Sequence, residues 1–287
     1  MARLLGCVAA VLVASAIVLA AAVGPVHGRT RRAGVAATIG SRLLLRALGI
    51  RILATGAVRD GAALVVANHV SWVDILAVTA TAPVVPVAKC EVARWPLIGP
   101  LSRRLGTVFV SRRVGRDLPV SVARIADVLR RGHRVLLFPE GTTSSGGPPR
   151  AFHRAGFQAA VDAAVPVQPV SIGYADRAGR PTVSTAFIDD DTVLGSAWRL
   201  LQAGPVQVRV RWHPPAAAIE DGGHRTGHRA RAAHGARGRI CRALGADQPT
   251  AEWGRVAANV TSVSRGAFPA RPSADASLTI EWPDRAA

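Results

Sequence analysis

Residues Leu64-Val65-Val66-Ala67-Asn68-His69-Val70-Ser71-Trp72-Val73-Asp74 form an apolar run that breaks on a polar pair and resumes as a second apolar stretch. The short apolar run Leu64–Ala67, ended by the polar pair, reads as a strand buried on both faces, and Val73–Ala80 reads as a helix. Asn68 and His69 then sit at the C-terminal edge of a strand, where open α/β sheets bind their ligands. Ser71 is placed to cap the helix, and Asp74, three residues on, to complete a capping box. Asp74 also lies one turn inside the helix, within reach of His69. A histidine–carboxylate pair of this kind fixes the imidazole tautomer and stabilises the imidazolium formed when the histidine takes a proton. Taken alone, H-x-x-x-x-D is common, and a loop histidine beside a helix cap accounts for it equally well.

The surrounding chain repeats the pattern. Strands are predicted at Val84–Ala88, Val108–Val110, Val135–Phe138, Val167–Ile172, Thr182–Ile188 and, with clean alternation, Val206–Trp212. Helices are predicted at Pro96–Leu105, Leu118–Arg131, Phe152–Ala164 and Arg229–Leu244, the last turning Ile240 and Leu244 inward. This alternation implies an α/β fold with a mixed, largely buried sheet flanked by helices. Two further strand ends carry chemistry: Arg112 closes Gly106-Thr107-Val108-Phe109-Val110-Ser111-Arg112, and Glu140, Gly141 and Thr142 lie in Phe138-Pro139-Glu140-Gly141-Thr142-Thr143. No serine or cysteine sits in a nucleophile elbow, and no glycine-rich nucleotide loop precedes a helix. A covalent acyl-enzyme, kinase chemistry and dehydrogenase chemistry are therefore not indicated.

The chain of 287 residues carries 36 basic and 18 acidic side chains, a net charge of +18 that implies an anionic partner. Lys89 is its only lysine. Three cysteines are too few for a disulfide framework or zinc cluster. Leu4 to Val23 is an uncharged run of 20 residues, which as a helix spans about 30 Å. With Arg29, Arg31 and Arg32 behind it, residues 1–28 are expected to be a transmembrane anchor that leaves the remainder cytoplasmic. A cleaved signal peptide is the rival. Within residues 29–56, Ile39–Leu53 reads as a basic amphipathic helix on an anionic membrane surface, or as one packing its leucines on the core. Residues 57–246 hold the α/β domain, and 247–287 are expected to be a poorly ordered tail. His213, His224, His228 and His234 lack companion ligands at metal spacing and are expected to be solvated. Aromatic residues make up only 5%, so nucleic-acid recognition is poorly supported and no nucleic acid is expected as a partner.

The blocks around His69, Arg112, Glu140 and Val165-Pro166-Val167-Gln168-Pro169-Val170, in this order and spacing, resemble the glycerolipid acyltransferase family. The linking segment from Lys89 to Gly99 is also similar to that family's. The resemblance implies transfer of a fatty acyl group from acyl-CoA or acyl-ACP to the free hydroxyl of a lysolipid, with no other cofactor and no metal. It makes His69 the general base, with Asp74 orienting it. Arg112 would hold the acceptor's phosphate, and Glu140, Gly141 and Thr142 would shape the acceptor site. The acceptor implied first is 1-acylglycerol-3-phosphate. Many members acting on it have arginine where this chain has Thr143, and that departure brings the lyso-ornithine lipid branch close behind. A non-enzymatic, basic, membrane-associated nucleic-acid-binding protein is the alternative of a different class; it explains the charge but not the placement of His69 and Glu140.

Overall fold

The computed structural model describes residues 2–22, 29–96, 98–111, 117–187, 191–218 and 225–247. In chain order the elements are α1 (Ala2–Ala22), α2 (Arg29–Ala47), β1 (Ile50–Thr55), β2 (Ala63–Ala67), α3 (Val73–Thr81), β3 (Val85–Lys89), α4 (Ile98–Arg104) and β4 (Val108–Val110). They continue with α5 (Asp117–Arg130), β5 (Arg134–Leu137), α6 (Gln158–Asp162), β6 (Val167–Ala175), α7 (Val193–Gln202), β7 (Val206–Trp212) and α8 (Arg225–Asp247).

The strands form one sheet in the order β1-β7-β6-β2-β5-β3-β4. The block β6-β2-β5-β3-β4 is parallel throughout, whereas β7 runs antiparallel to β6 and parallel to β1. Every residue of β2 is buried, because helices cover both faces of the sheet. On one side Leu45, Val73, Ala77 and Leu200 close over it; on the other Ile125, Leu129, Phe157 and Ile240 do so. β7 keeps the predicted alternation, with Val206, Val208, Val210 and Trp212 inward. The chain leaves β2 for β3 and β4, then returns to lay β5 and β6 on either side of β2. The C-terminal edge of β2 is thus flanked by the C-terminal ends of two parallel neighbours.

Several expectations are corrected. The helix predicted through Leu53 ends at Ala47; Gly49 turns with φ +76°, and Ile50–Thr55 pairs in parallel with Val206–Arg211. Leucines of α2 and its end do pack on the core, Leu45 and Leu48 being buried. Thr38 Oγ1 and Arg42 Nε donate to the carbonyls of Thr79 and Ala80 (2.9 and 2.8 Å), which ties α2 to α3. Of the predicted strand Thr182–Ile188, described residues 182–187 form no strand, with a turn at 184–185; β6, which leads into them, already has β2 and β7 on its two sides. Phe152–Ala164 contains only a 3-10 turn at Ala155–Phe157 followed by α6.

The expected transmembrane anchor, residues 1–28, is described over residues 2–22. A helix does form over Ala2–Ala22, but it packs against α2, where Gly40 admits Ala14 so closely that an added Cβ would lie 3.2 Å from it. Among the described residues, no helix is long and apolar enough to cross a membrane. The expected tail, from 247 on, lies outside the described residues except for Asp247 at the end of α8.

Candidate active site

The loop leaving β2 is fastened to both neighbouring strands before it presents any chemistry. Asn68 is buried and makes a two-way bond with β6: its Nδ2 donates to the Ile172 carbonyl (2.9 Å) and its Oδ1 accepts from the Ile172 N–H (2.8 Å). The backbone N–H of His69 donates to Glu140 Oε1 at 2.8 Å. The His69 carbonyl accepts from Ser144, through its N–H at 2.8 Å and its hydroxyl at 3.1 Å. One residue on, the Val70 carbonyl accepts from the Phe187 N–H at 3.0 Å. The histidine backbone is therefore held from the loop after β5, and its neighbours Asn68 and Val70 are held from β6 and from the 182–187 segment.

The imidazole is held as firmly. His69 Nδ1 lies 2.9 Å from Asp74 Oδ2, and the ring stacks on Phe138 with centroids 4.0 Å apart. Asp74 is wholly buried, and the same Oδ2 accepts the N–H groups of Val70 (2.6 Å) and Ser71 (2.8 Å). Its Oδ1 accepts the hydroxyl of Tyr174 at 2.5 Å. An ionised carboxylate donates nothing, so Nδ1 must carry the proton and the Nε2 lone pair points outward. Among the described residues nothing hydrogen-bonds Nε2, and the side chain keeps 18% exposure at the sheet edge. A neutral imidazole with an outward lone pair and a buried carboxylate behind it is equipped to take a proton from a bound hydroxyl.

Glu140 is buried too, and its second oxygen accepts the Arg150 N–H at 2.8 Å. Burial pushes its carboxyl above the usual carboxylate range, against the opposing pull of the two backbone N–H groups. Burial and the adjacent Asp74 charge push the Tyr174 phenol well above its ordinary value.

A family model described as Acyltransferase matches residues 50–173, the stretch from β1 through most of β6. A lyso-ornithine lipid O-acyltransferase of Pseudomonas aeruginosa is 40% identical over 172 residues, covering 60% of this chain and 66% of that protein. A 1-acyl-sn-glycerol-3-phosphate acyltransferase of Neisseria meningitidis is 37% identical over 147 residues, covering 51% and 57%. A lyso-ornithine lipid O-acyltransferase of Brucella abortus is 35% identical over 189 residues, covering 61% of this chain and 70% of its own length. The chain belongs to the acyltransferase family. It spans less than two thirds of the length of the first two relatives. The crystal structure of the 1-acyl-sn-glycerophosphate acyltransferase PlsC from Thermotoga maritima shares the fold, with a TM-score of 0.55 and 22% identity over 80% of this chain and 86% of that one.

Within this acyltransferase fold, His69, Asp74 and Glu140 meet as the sequence suggested, but with different bonding. Ser71 and Asp74 cap the start of α3 reciprocally: the Ser71 hydroxyl accepts the Val73 N–H at 3.3 Å and Asp74 Oδ2 accepts the Ser71 N–H at 2.8 Å, while Trp72, next to the first helical residue, makes no side-chain cap bond. Glu140 spends both oxygens on backbone N–H groups, so it braces the His69 loop. Gly141 turns with φ +71°, a conformation that a side chain would strain. Thr142 is half-buried in the same turn, and Thr143 donates its hydroxyl to the Phe187 carbonyl. Arg112 lies outside the described residues.

Sequence reasoning missed Tyr174, Phe138 as the ring beneath His69, and Ser144. Phe138 and Ser144 lie in or beside a block already singled out. Tyr174 had no local signal, since its partner is 100 residues away. The histidine expectation is corrected in part. His228, in the first turn of α8, is buried, with Arg231 Nη2 2.9 Å from its Nδ1, and His213 Nε2 lies 3.1 Å from the Ser171 hydroxyl. Both were read as solvated because α8 and the end of β7 were not placed against β6. Among the described residues, no group of three or more His, Cys, Asp or Glu is placed to hold a metal.

Proposed function

We propose that this chain transfers a fatty acyl group from acyl-CoA or acyl-ACP to the free hydroxyl of a lysolipid, with His69 as general base. The observation that carries this reading is the His69–Asp74 pair, its outer nitrogen open at the sheet edge. As the acceptor oxygen attacks the thioester carbonyl, His69 Nε2 takes the hydroxyl proton, and Asp74 stabilises the resulting imidazolium. Collapse of the tetrahedral intermediate breaks the C–S bond, and the imidazolium returns its proton to the departing thiolate. The products are the acylated lipid and a free thiol. General-base catalysis of this kind contributes about 10²–10⁴ in rate.

The acceptor we favour is lyso-ornithine lipid, with 1-acylglycerol-3-phosphate second. The resemblance implies arginine at position 143 in many lysophosphatidate-directed members; here Thr143 stands there, its hydroxyl donating to the Phe187 carbonyl, so that cation for a phosphomonoester is missing. Two relatives at 40% and 35% identity carry the lyso-ornithine name. We place the domain at the cytoplasmic surface of an anionic membrane. Val8, Val11 and Leu12 of α1 and Val35 and Ile39 of α2 are exposed apolar side chains, and the net charge of +18 suits an anionic leaflet.

The test is thiol release from acyl-CoA and from acyl-ACP with each lysolipid in parallel, for wild type and His69→Ala. Loss of transfer in a folded His69→Ala protein is expected. Retained transfer would overturn the assignment.

A further inference from the structure

Tyr174 is the group behind the dyad that the proposed chemistry leaves unused. It lies on β6 opposite Val208 of β7, its ring buried in the same cluster as Val73 and Ala77 of α3. Its hydroxyl meets Asp74 on Oδ1, the oxygen that neither His69 nor the backbone N–H groups use. We infer that Tyr174 is a positioning residue for the general base: by donating to Oδ1 it fixes the carboxylate plane and draws charge away from the oxygen that holds His69. The inference rests on reading His69 as the base.

Two physical consequences make this more than a packing contact. A carboxylate fixed at Oδ2 alone can rotate about its Cβ–Cγ bond; a second bond at Oδ1 removes that freedom and so sets where the imidazole points. Charge drawn toward Oδ1 also weakens the hold of Oδ2 on the imidazolium, which tunes the pH at which the dyad becomes a competent base. Burial and the Asp74 charge keep the phenol protonated at every working pH, so Tyr174 acts only as a donor. Among the described residues, the titratable groups facing the dyad are Glu140, from the loop after β5, and Tyr174 itself. From α7, Arg199 is turned instead to Asp191 and the Ala186 carbonyl.

The chain has one tyrosine, so biosynthetic incorporation of 3-fluorotyrosine alters position 174 and no other. Fluorine makes the phenol a stronger donor, whereas Tyr174→Phe removes the donor and keeps the ring. The experiment measures the pH profile of kcat, and KM for acyl donor and lysolipid, for wild type, the fluorotyrosine protein, Tyr174→Phe and His69→Ala. The expected result is a shift of the acid limb in opposite directions, to higher pH in Tyr174→Phe and to lower pH in the fluorotyrosine protein. Tyr174→Phe should also lose about three- to tenfold in kcat, the worth of one ordinary hydrogen bond, with KM values held within about twofold. A merely structural tyrosine lowers the active fraction and leaves the profile in place. Profiles that coincide with wild type, or move in the same direction, overturn the inference while leaving His69 as base. If Tyr174→Phe does not fold, the direction of the fluorotyrosine shift decides alone. Activity in His69→Ala would remove the premise along with the inference.

Discussion

Asp74→Asn isolates the charge behind His69 from the hydrogen bonds that hold it. Oδ2 of Asp74 accepts from His69, Val70 and Ser71, so an amide N–H₂ cannot occupy that place without facing these donors. The amide must put its oxygen there and its nitrogen at the Oδ1 position, where the Tyr174 hydroxyl can rotate to accept. The imidazole therefore keeps its tautomer, and the variant loses the negative charge together with the acceptor for the Tyr174 proton. For charges about 4 Å apart at an effective dielectric of about 20, that charge is worth about 4 kcal/mol to the imidazolium. The amide dipole recovers part of it, so kcat should fall by about 10²–10³ with little change in KM. Stability should drop by only about 1–2 kcal/mol, as charge-assisted bonds become neutral ones. Asp74→Ala, which strands the buried Val70 and Ser71 N–H groups, should cost about 3–5 kcal/mol. The assay is continuous thiol release from acyl-CoA under saturating lysolipid, paired with urea denaturation of each variant. A folded Asp74→Asn enzyme within tenfold of wild-type kcat would refute the reasoning, because the charge would then not support the base.

Other outcomes follow from the same bonding. Glu140→Gln sets an amide N–H₂ against the His69 or the Arg150 N–H and should cost about 1–3 kcal/mol in denaturant titrations, with kcat reduced as the His69 loop loosens. Because burial raises the folded-state titration of Glu140 above its ordinary value of 4.5, its contribution to stability is fully present below that pH and is lost as pH rises through the raised value. This segment of the stability–pH curve should vanish in Glu140→Gln. Gly56→Ala should lower the melting temperature by roughly 10 °C, since Gly56 has φ +80° and an added Cβ would lie 1.9 Å from the Trp212 carbonyl oxygen. Arg199→Ala removes a two-pronged pair with Asp191 (3.0 and 2.7 Å) and a bond to the Ala186 carbonyl. Its partly exposed setting limits the stability cost to below about 1 kcal/mol, while limited proteolysis between residues 182 and 198 should quicken.

What could be read in the sequence was whatever depends on neighbours along the chain. The apolar run ending at Ala67 and the helix opening at Val73 set His69 and Asp74 at one strand edge, and five residues of separation brought them into contact. Glu140 was found by its block, yet its use as a brace was not. That use depends on where β5 lies beside β2, which no local pattern states. Tyr174 was invisible for the same reason, because the pairing of β2 with β6 alone carries it to Asp74. β1 was misread because Ile50 and Ile52 alternate with Arg51 in a way that also extends the preceding helical face. The 182–188 segment shows the opposite failure. Its β-type residues read as a strand, but β6 already has β2 and β7 on its two sides.

The bonds around His69 also bear on how the site selects its substrates. Its N–H, its carbonyl, its Nδ1 and its ring face each have a fixed partner from Glu140, Ser144, Asp74 and Phe138 respectively. Moving the base would break several buried bonds at once, so the base does not adapt to the acceptor; the acceptor must be delivered to it. Acceptor choice then has to be made by groups around the fixed dyad. Thr143 and the 182–187 segment, which bond to each other and to the His69 loop through Phe187, are the groups we propose for that choice. A family can keep one base and change its lipid by this division. On the proposed reading of His69 as base, exchanging arginine and threonine at position 143 should change lysolipid KM and leave the pH profile of kcat in place, which steady-state kinetics of Thr143→Arg checks.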